Sequence, residues 1–187
     1  SPTFCYHGNG INELAGKTLG IIGYGSLGHS VARLAKAFGM KVMIAERKSA
    51  SKIREGRNSF TRVLQSADII SLHCPQTIET EQLVNDYFLQ EMKSTAMLIN
   101  TARGALIDNQ ALINALTNEK IAYAVLDVLE QEPPSRDHPL LGCDLPNLKI
   151  TAHIAWASFQ AQQRLIELIA DNILAFKQDR SVNRVDN

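Results

Sequence analysis

The chain has 187 residues, 45% of them hydrophobic, with 19 basic and 19 acidic side chains. This length and apolar content can bury a globular core, while the cancelled charge argues against a general positive field for nucleic acid or an anionic membrane surface. Three cysteines without metal-ligand spacing argue against a disulfide framework or a metal site, and no apolar run approaches the ~18 residues of a membrane span, so we expect a soluble cytoplasmic protein.

Along the chain, a loop-like lead-in is followed by short Val-, Ile- and Leu-rich runs that alternate with amphipathic helix patterns. The predicted strands are residues 18–23, 41–45, 68–73, 96–100, 122–127 and 148–151. The predicted helices are residues 27–38, 60–65, 86–92, 109–117 and 158–177. This alternation predicts βαβ units in an α/β doubly wound parallel sheet (Rossmann) with a long C-terminal helix.

A glycine-rich turn joins the first strand to the first helix, with the sequence Gly23-Tyr-Gly-Ser-Leu-Gly28. Gly23 permits a tight turn, Gly25 lets a pyrophosphate approach the backbone, and Gly28 lets helix and strand pack closely. Ser26 and Leu27 lie at the helix N-terminus, where N–H groups and the positive end of the dipole favour an anion. The pattern predicts a dinucleotide phosphate site.

Glu46 ends the second strand, 18 residues after Gly28, where a carboxylate would hold ribose hydroxyls. The alternative is that the glycines form an ordinary turn and Glu46 is a solvated surface charge. Arg47 and Lys48 could accept a 2′-phosphate, which Glu46 would repel. NAD is therefore the predicted coenzyme, and the use of NADP stays open.

Four further segments resemble the D-isomer-specific 2-hydroxyacid dehydrogenase family in their order and spacing. They are Ala67-Asp-Ile-Ile-Ser-Leu-His-Cys-Pro75, Ile99-Asn-Thr-Ala-Arg-Gly104, Leu126-Asp-Val-Leu-Glu-Gln-Glu-Pro-Pro134 and Thr151-Ala-His-Ile-Ala-Trp156. The resemblance begins near Leu14 and runs to the C-terminus. The segment His-Ile-Ala-Trp-Ala-Ser and the Ala-Glu-Arg-Lys after the second strand look most like glycerate dehydrogenases, also called hydroxypyruvate reductases.

The resemblance implies a domain organisation: an interdomain lead-in (residues 1–15), an NAD-binding Rossmann domain (16–152), and a histidine loop with a helix crossing to the substrate lobe (153–187). In this family the substrate lobe comes mainly from the N-terminal part of the chain. The resemblance implies that most of this lobe is absent here, so that the chain alone would have weak catalytic activity or none. Family members are commonly dimers built through the coenzyme domain. We therefore expect a homodimer, with the first helix as a candidate interface.

Three residues match the catalytic set of the family. Arg103 would bind the substrate carboxylate and polarise its carbonyl, because its planar fork suits both groups. His153 would be the acid/base, and Glu132 would orient it and raise its pKa. The alternatives are a surface ion pair for Arg103 and a solvated loop charge for Glu132. Glu130 is a second glutamate close to Glu132 in the same segment, and it does not match the catalytic position.

The resemblance also implies coenzyme contacts beyond the glycine loop. Asp127 would accept a hydrogen bond from the nicotinamide carboxamide, unless it only forms a turn. The remaining residues are implied near the adenosine and phosphates (Cys74, Pro75, Thr80) or near the nicotinamide (Thr101, Ala102). Cys74 could instead be a small buried hydrophobe, and His73 is expected to order its loop. Gly104 suits close approach of a ligand.

Two residues depart from the family pattern: Ala152 stands where proline is common, and Tyr123 where glycine is common. Neither departure removes a catalytic group. The resemblance implies hydride transfer between nicotinamide and a small 2-oxo or 2-hydroxy acid, with hydroxypyruvate and D-glycerate as the expected pair. The alternatives are a non-enzymatic NAD-sensing partner protein, like the transcriptional corepressors that resemble this family, and a structural domain with a vestigial coenzyme site.

Overall fold

The structure is a computed structural model, and it describes residues 11–184. Its strands are β1 (Thr18–Ile22), β2 (Lys41–Ile44), β3 (Ile69–Leu72), β4 (Met97–Asn100), β5 (Tyr123–Leu126) and β6 (Leu148–Ile150). They form one parallel sheet in the order β2-β1-β3-β4-β5-β6. Each strand lies inside a predicted range, and the predicted doubly wound α/β fold is confirmed.

The helices are α1 (Ser26–Ala37), α2 (Phe60–Ser66), α3 (Asp86–Glu91), α4 (Asn109–Thr117), α5 (Pro139–Gly142) and α6 (Phe159–Lys177). Local capping explains where several of them begin and end. The side chains of Ser59 and Asp108 accept backbone N–H groups at the starts of α2 and α4, and Gly39, with φ of 74°, follows the end of α1. Sequence reasoning missed α5 and the 3₁₀ turn Gly104–Leu106, because elements this short show no periodicity.

The helices of the first unit lie on both faces of the sheet. On one face α1 packs against β1 and β2 around Leu19, Ile21 and Ala32. On the other face α2, α3 and α4 cover a larger apolar core. A Cβ on Gly20 would lie 2.7 Å from Cγ1 of Val63, so glycine is what allows β1 and α2 to approach so closely.

The chain divides into two compact units, one ending at Thr151 and the other beginning at Ala152. The first contains the whole sheet, and the second contains α6, which begins after the capping side chain of Ser158. No helix in the described range 11–184 is long and apolar enough to cross a membrane.

Candidate functional site

The carboxyl ends of the parallel strands meet at one edge of the sheet, and a cavity of about 770 Å³ opens there. Its lining is Leu27, residues 73–78, Glu81, Thr101, Ala102 and Arg103. This is the size range of small-molecule and cofactor sites, roughly 300–1,000 Å³. The cavity lies beside β1 and β3, where the direction of winding changes, which is where open α/β sheets bind ligands.

The three glycines of the first turn have different surroundings. Gly23 has φ of 92°, and a Cβ on it would lie 2.3 Å from the backbone nitrogen of Cys74. A Cβ on Gly28 would lie 2.2 Å from the carbonyl oxygen of Gly23. By contrast, a Cβ on Gly25 would meet nothing within 4 Å. Gly23 and Gly28 are therefore required by the chain's own backbone, whereas Gly25 borders open space.

The N-terminus of α1 suits a phosphate group. Gly25 is its N-cap and has no side chain to accept the first N–H groups, and the first turn contains no acidic residue. The backbone N–H groups of Ser26 and Leu27 point out of this helix end, and the first helical bond runs from the His29 N–H to the Gly25 carbonyl at 2.9 Å. These features fit the pyrophosphate of a dinucleotide, and the open space at Gly25 leaves room for it.

Glu46 is only 3% exposed, unlike the solvated charge of the alternative interpretation. Its carboxylate accepts hydrogen bonds from the backbone N–H of Arg47 at 2.9 Å and from Nε of Arg54 at 2.7 Å, and Nη2 of Arg54 also contacts it. Nη1 of Arg57 lies 3.9 Å away. The Arg54 guanidinium, followed by the Arg47 N–H, holds the pKa of Glu46 well below its usual range. Lys48 instead lies over the ring of Tyr87.

Arg103 follows β4 on a turn that is held by a buried amide. Asn100 is fully buried, its Oδ1 accepts the Ala102 N–H at 3.0 Å, and its Nδ2 donates to the Arg103 carbonyl at 2.8 Å. Nη1 of Arg103 donates to the Ala102 carbonyl at 2.6 Å, and the side chain lines the cavity. In the part of the chain that the structure describes, Arg103 forms no ion pair with a carboxylate. Its charge therefore remains available to an anionic ligand.

The loop after β3 supplies the opposite wall of the cavity. Cys74 and Pro75 line it, and burial raises the pKa of the Cys74 thiol. Cys74 also packs against the main core. It is therefore both a residue of the cavity wall and a small, partly buried hydrophobe. The Thr80 hydroxyl donates to the Pro75 carbonyl at 2.7 Å and thereby closes the loop. The His73 ring contacts the Ser71 hydroxyl at 2.9 Å, and burial lowers the pKa of His73.

Asp127 lies directly after β5 and is 4% exposed. Its N–H donates to the Asn100 carbonyl at 2.9 Å, and its carboxylate accepts the Thr151 hydroxyl. Asp127 thus joins the ends of β4, β5 and β6 at the edge of the sheet that carries the cavity. Its predicted contact with the nicotinamide carboxamide stays a prediction.

Glu132 lies in the exposed loop between β5 and α5, before a cis proline, Pro133. Its Oε1 accepts the Leu129 N–H at 2.9 Å. Glu130, the other glutamate of this loop, makes different contacts. Its carboxylate accepts a hydrogen bond from Asn109 at 2.6 Å and contacts the ring of His138 at 3.0 Å. The two glutamates of this loop therefore have separate surroundings.

His153 belongs to the second unit, and its backbone is in the left-handed region with φ of 52°. This conformation is uncommon for residues other than glycine and costs roughly 1–3 kcal/mol, which the surrounding structure must offset. Such residues cluster at functional sites. The predicted pairing of His153 with Glu132 stays a prediction.

Residues 6–155 match the family described as D-isomer specific 2-hydroxyacid dehydrogenase, NAD binding domain. The chain belongs to this family. It is 43% identical over 186 residues to a glycerate dehydrogenase of Methylorubrum extorquens, with 100% of the chain and 58% of the relative covered. A hydroxypyruvate reductase of Blautia hydrogenotrophica is 36% identical over 189 residues, with 100% and 58% covered.

A solved structure supports the same assignment. A D-isomer specific 2-hydroxyacid dehydrogenase from Lactobacillus delbrueckii ssp. bulgaricus, in its NAD-complexed form, has a TM-score of 0.81 and 30% identity. The match covers 100% of this chain and 60% of that one. The chain therefore carries the NAD-binding domain of the D-isomer specific 2-hydroxyacid dehydrogenases, and it spans less than two thirds of the length of these relatives.

Sequence reasoning missed two residues of this 2-hydroxyacid dehydrogenase domain, Asn100 and Arg54, and gave a different reason for a third, Gly104. Asn100 could have been suspected, because it is a polar residue at the end of an apolar strand. Arg54 offered no signal, because it lies in a loop without periodicity. For Gly104 the structure shows a reason that the sequence did not predict: a Cβ on it would lie 1.9 Å from the carbonyl carbon of Leu129, so it admits close approach of the chain's own backbone there.

Proposed function

We propose that the protein catalyses reversible, NAD-dependent hydride transfer between a small D-2-hydroxy acid and its 2-oxo acid, with D-glycerate and hydroxypyruvate as the pair. The main support is Arg103: a guanidinium without a carboxylate partner in the described part of the chain, on a turn braced by Asn100, lining the cavity. The names of the two relatives, glycerate dehydrogenase and hydroxypyruvate reductase, favour this substrate pair. Neither supports the non-enzymatic alternative.

The residues that would hold the coenzyme are those whose surroundings fit its parts. The N–H groups at the start of α1 would bind the pyrophosphate beside Gly25. Glu46 would hold the ribose hydroxyls. Cys74, Pro75, Thr101 and Ala102, which line the cavity, would contact the remainder. When bound, NADH supplies the hydride. Because the guanidiniums of Arg54 and Arg57 bring positive charge to the surroundings of Glu46, and Arg47 and Lys48 follow it in the chain, NADPH belongs in the test.

The chain's own side chains would act on the substrate. Arg103 would bind the carboxylate with its planar fork and stabilise negative charge that develops on the carbonyl oxygen. His153 would donate the proton to that oxygen in the reducing direction and remove it in the reverse direction. Glu132 would orient the imidazole and favour its protonated form. We propose further that the chain alone turns over weakly, since its relatives are longer.

The test is oxidation of NADH by the full-length protein with hydroxypyruvate, glyoxylate and pyruvate, repeated with NADPH. We expect the highest kcat/KM with hydroxypyruvate. Replacing Arg103 by Ala should lower kcat/KM by roughly 10²–10³-fold, the typical effect of removing one oxyanion donor, and Arg103→Lys should recover only part of it because the fork is lost. His153→Ala should lower kcat to a similar extent.

The matched control is Arg62→Ala, which removes an exposed arginine on α2 away from the cavity. This variant should keep the wild-type kcat/KM. Absence of turnover with every 2-oxo acid, in a full-length protein that binds NADH, would overturn the proposal.

A further inference from the structure

The loop that carries Glu132 begins and ends at buried residues. Leu129, at 9% exposure, and His138, at 3%, are buried, whereas residues 130–137 between them are exposed. Glu132 lies within this exposed excursion. Its Oε1 accepts the N–H of Leu129 at the base of the loop, so a change at the base reaches Glu132.

His138 closes that base. Its Nδ1 accepts the Leu140 N–H at 3.2 Å, and its Nε2 lies 3.0 Å from Oε2 of Glu130. Because Nδ1 acts as an acceptor, Nε2 carries the ring proton and donates it to the carboxylate. One neutral tautomer thus caps α5 and joins residue 138 to residue 130.

Glu130 connects the same base to a second helix. Its Oε1 accepts a hydrogen bond at 2.6 Å from Nδ2 of Asn109, the first residue of α4. Burial opposes ionisation of Glu130, but the hydrogen bonds from Asn109 and His138 outweigh it and lower the pKa of this carboxyl. Glu130 therefore accepts both bonds as a carboxylate.

The backbone that carries Arg103 touches the base of this loop. Gly104 follows Arg103 directly, and a Cβ on it would lie 1.9 Å from the carbonyl carbon of Leu129 and 2.2 Å from the nitrogen of Glu130. A displacement of the loop base would be transmitted to the Arg103 turn. The His138–Glu130 contact thus bears on the placement of both Glu132 and Arg103.

We propose that His138 and Glu130 are positioning residues for the reaction: their contact closes the base of the loop and holds Glu132 in a fixed position beside the Arg103 turn. This inference rests on the proposed function, which gives Glu132 its catalytic role. His138 acts through the loop and does not touch the substrate. The two glutamates of the loop then have different roles: Glu130 anchors the base of the loop, and Glu132 acts on the imidazole of His153.

The test is His138→Asn in the full-length protein. The shorter amide can place Oδ1 where Nδ1 was and keep the cap on α5, but it cannot reach Glu130. We expect kcat to fall by about tenfold, since small misplacements of catalytic groups cost this much or more, while the NADH dissociation constant stays at the wild-type value. Glu130→Gln, which keeps an acceptor oxygen, should retain more activity than Glu130→Ala.

A double variant tests whether the two residues act as a pair. His138→Asn combined with Glu130→Ala should have the kcat of Glu130→Ala alone, because the contact can be lost only once. Hydrogen exchange provides an independent readout: the Leu129 amide, which donates to Glu132, should exchange faster in His138→Asn. The control is Glu91→Ala, which removes a similar exposed carboxylate contact at 2.6 Å with Gln65, between α3 and α2. It should leave kcat unchanged.

The outcomes separate this inference from the function on which it rests. An active wild-type protein whose kcat survives His138→Asn overturns the inference alone. So does a fall in kcat that is matched by an equal loss of NADH affinity, because the residue would then support the whole domain. A wild-type protein with no turnover overturns the proposed function and the positioning role with it.

Discussion

Glu46 illustrates how neighbouring side chains determine the state of a single residue. Its carboxylate is nearly inaccessible to solvent, but two of its hydrogen bonds come from the guanidinium of Arg54. A buried carboxylate without a partner would hold its proton more tightly; here the arginine reverses that effect and lowers the pKa. The proposed coenzyme site therefore contains an anion that is already paired with a cation.

The pairing makes the stability of the protein depend on pH. The folded pKa of Glu46 lies below its value in an unfolded chain, about 4.3. Stabilisation from the pair is therefore fully present above that pH and is lost as the pH falls through the lowered folded pKa. In Arg54→Ala, we expect a lower free energy of unfolding at pH 7 and a difference from wild type that shrinks below roughly pH 4. Denaturant titrations across this range measure both quantities.

Lys52→Ala is the matched control, because Lys52 is an exposed cation in the same loop and forms no ion pair in the range 11–184. Its effect on unfolding should be small and independent of pH. A difference between Arg54→Ala and wild type that stays constant down to acid pH would contradict the ion-pair explanation.

At the scale of elements, the junction of β1 and α1 contains two glycines that the chain's own backbone requires and one glycine, Gly25, that borders open space. Gly28→Ala should lower the free energy of unfolding by about 1–3 kcal/mol, because the new methyl group would meet the Gly23 carbonyl oxygen at 2.2 Å. Gly25→Ala should leave stability nearly unchanged, since its Cβ meets no protein atom within 4 Å. It should nevertheless abolish NADH binding, because the methyl group would take the space of the pyrophosphate.

Denaturant unfolding and titration of NADH fluorescence, both on the chain itself, distinguish the two effects. The two variants add the same methyl group three residues apart, so each serves as the control for the other. Wild-type NADH affinity in Gly25→Ala would show that the pyrophosphate lies elsewhere.

At the scale of the whole molecule, the predicted homodimer can be tested at α1. The buried side of this helix consists of Gly28, Ala32 and Ala35, while Leu34 and Phe38 are 54% and 63% exposed. Association through this surface would bury both apolar side chains. We expect Leu34→Asp to convert the dimer into a monomer in sedimentation velocity experiments.

Leu141→Asp, which alters a 47% exposed leucine on α5, should leave the sedimentation coefficient unchanged. Dimerisation that survives Leu34→Asp would place the interface on another surface.

Much of the fold could be predicted because its signals are local. Apolar runs between turns predicted every strand. Asp108, as a predicted capping residue, placed the start of α4 at Asn109, where the structure has it. The helix α5 and the 3₁₀ turn after Arg103 could not be predicted, because four residues or fewer cannot show a helical period. Both elements lie next to residues that we propose to be catalytic: the 3₁₀ turn follows Arg103, and α5 follows the loop that carries Glu132.

The sequence by itself determined the order of strands and helices, the glycine turn and the candidate set Arg103, Glu132 and His153, since these depend on chain neighbours and on motif order. Only the tertiary structure decided that Arg54 pairs with Glu46 and that His138 closes the loop through Glu130. Both contacts join irregular segments, where no fixed geometry relates sequence spacing to distance. Close packing of the whole domain therefore determines which charges meet.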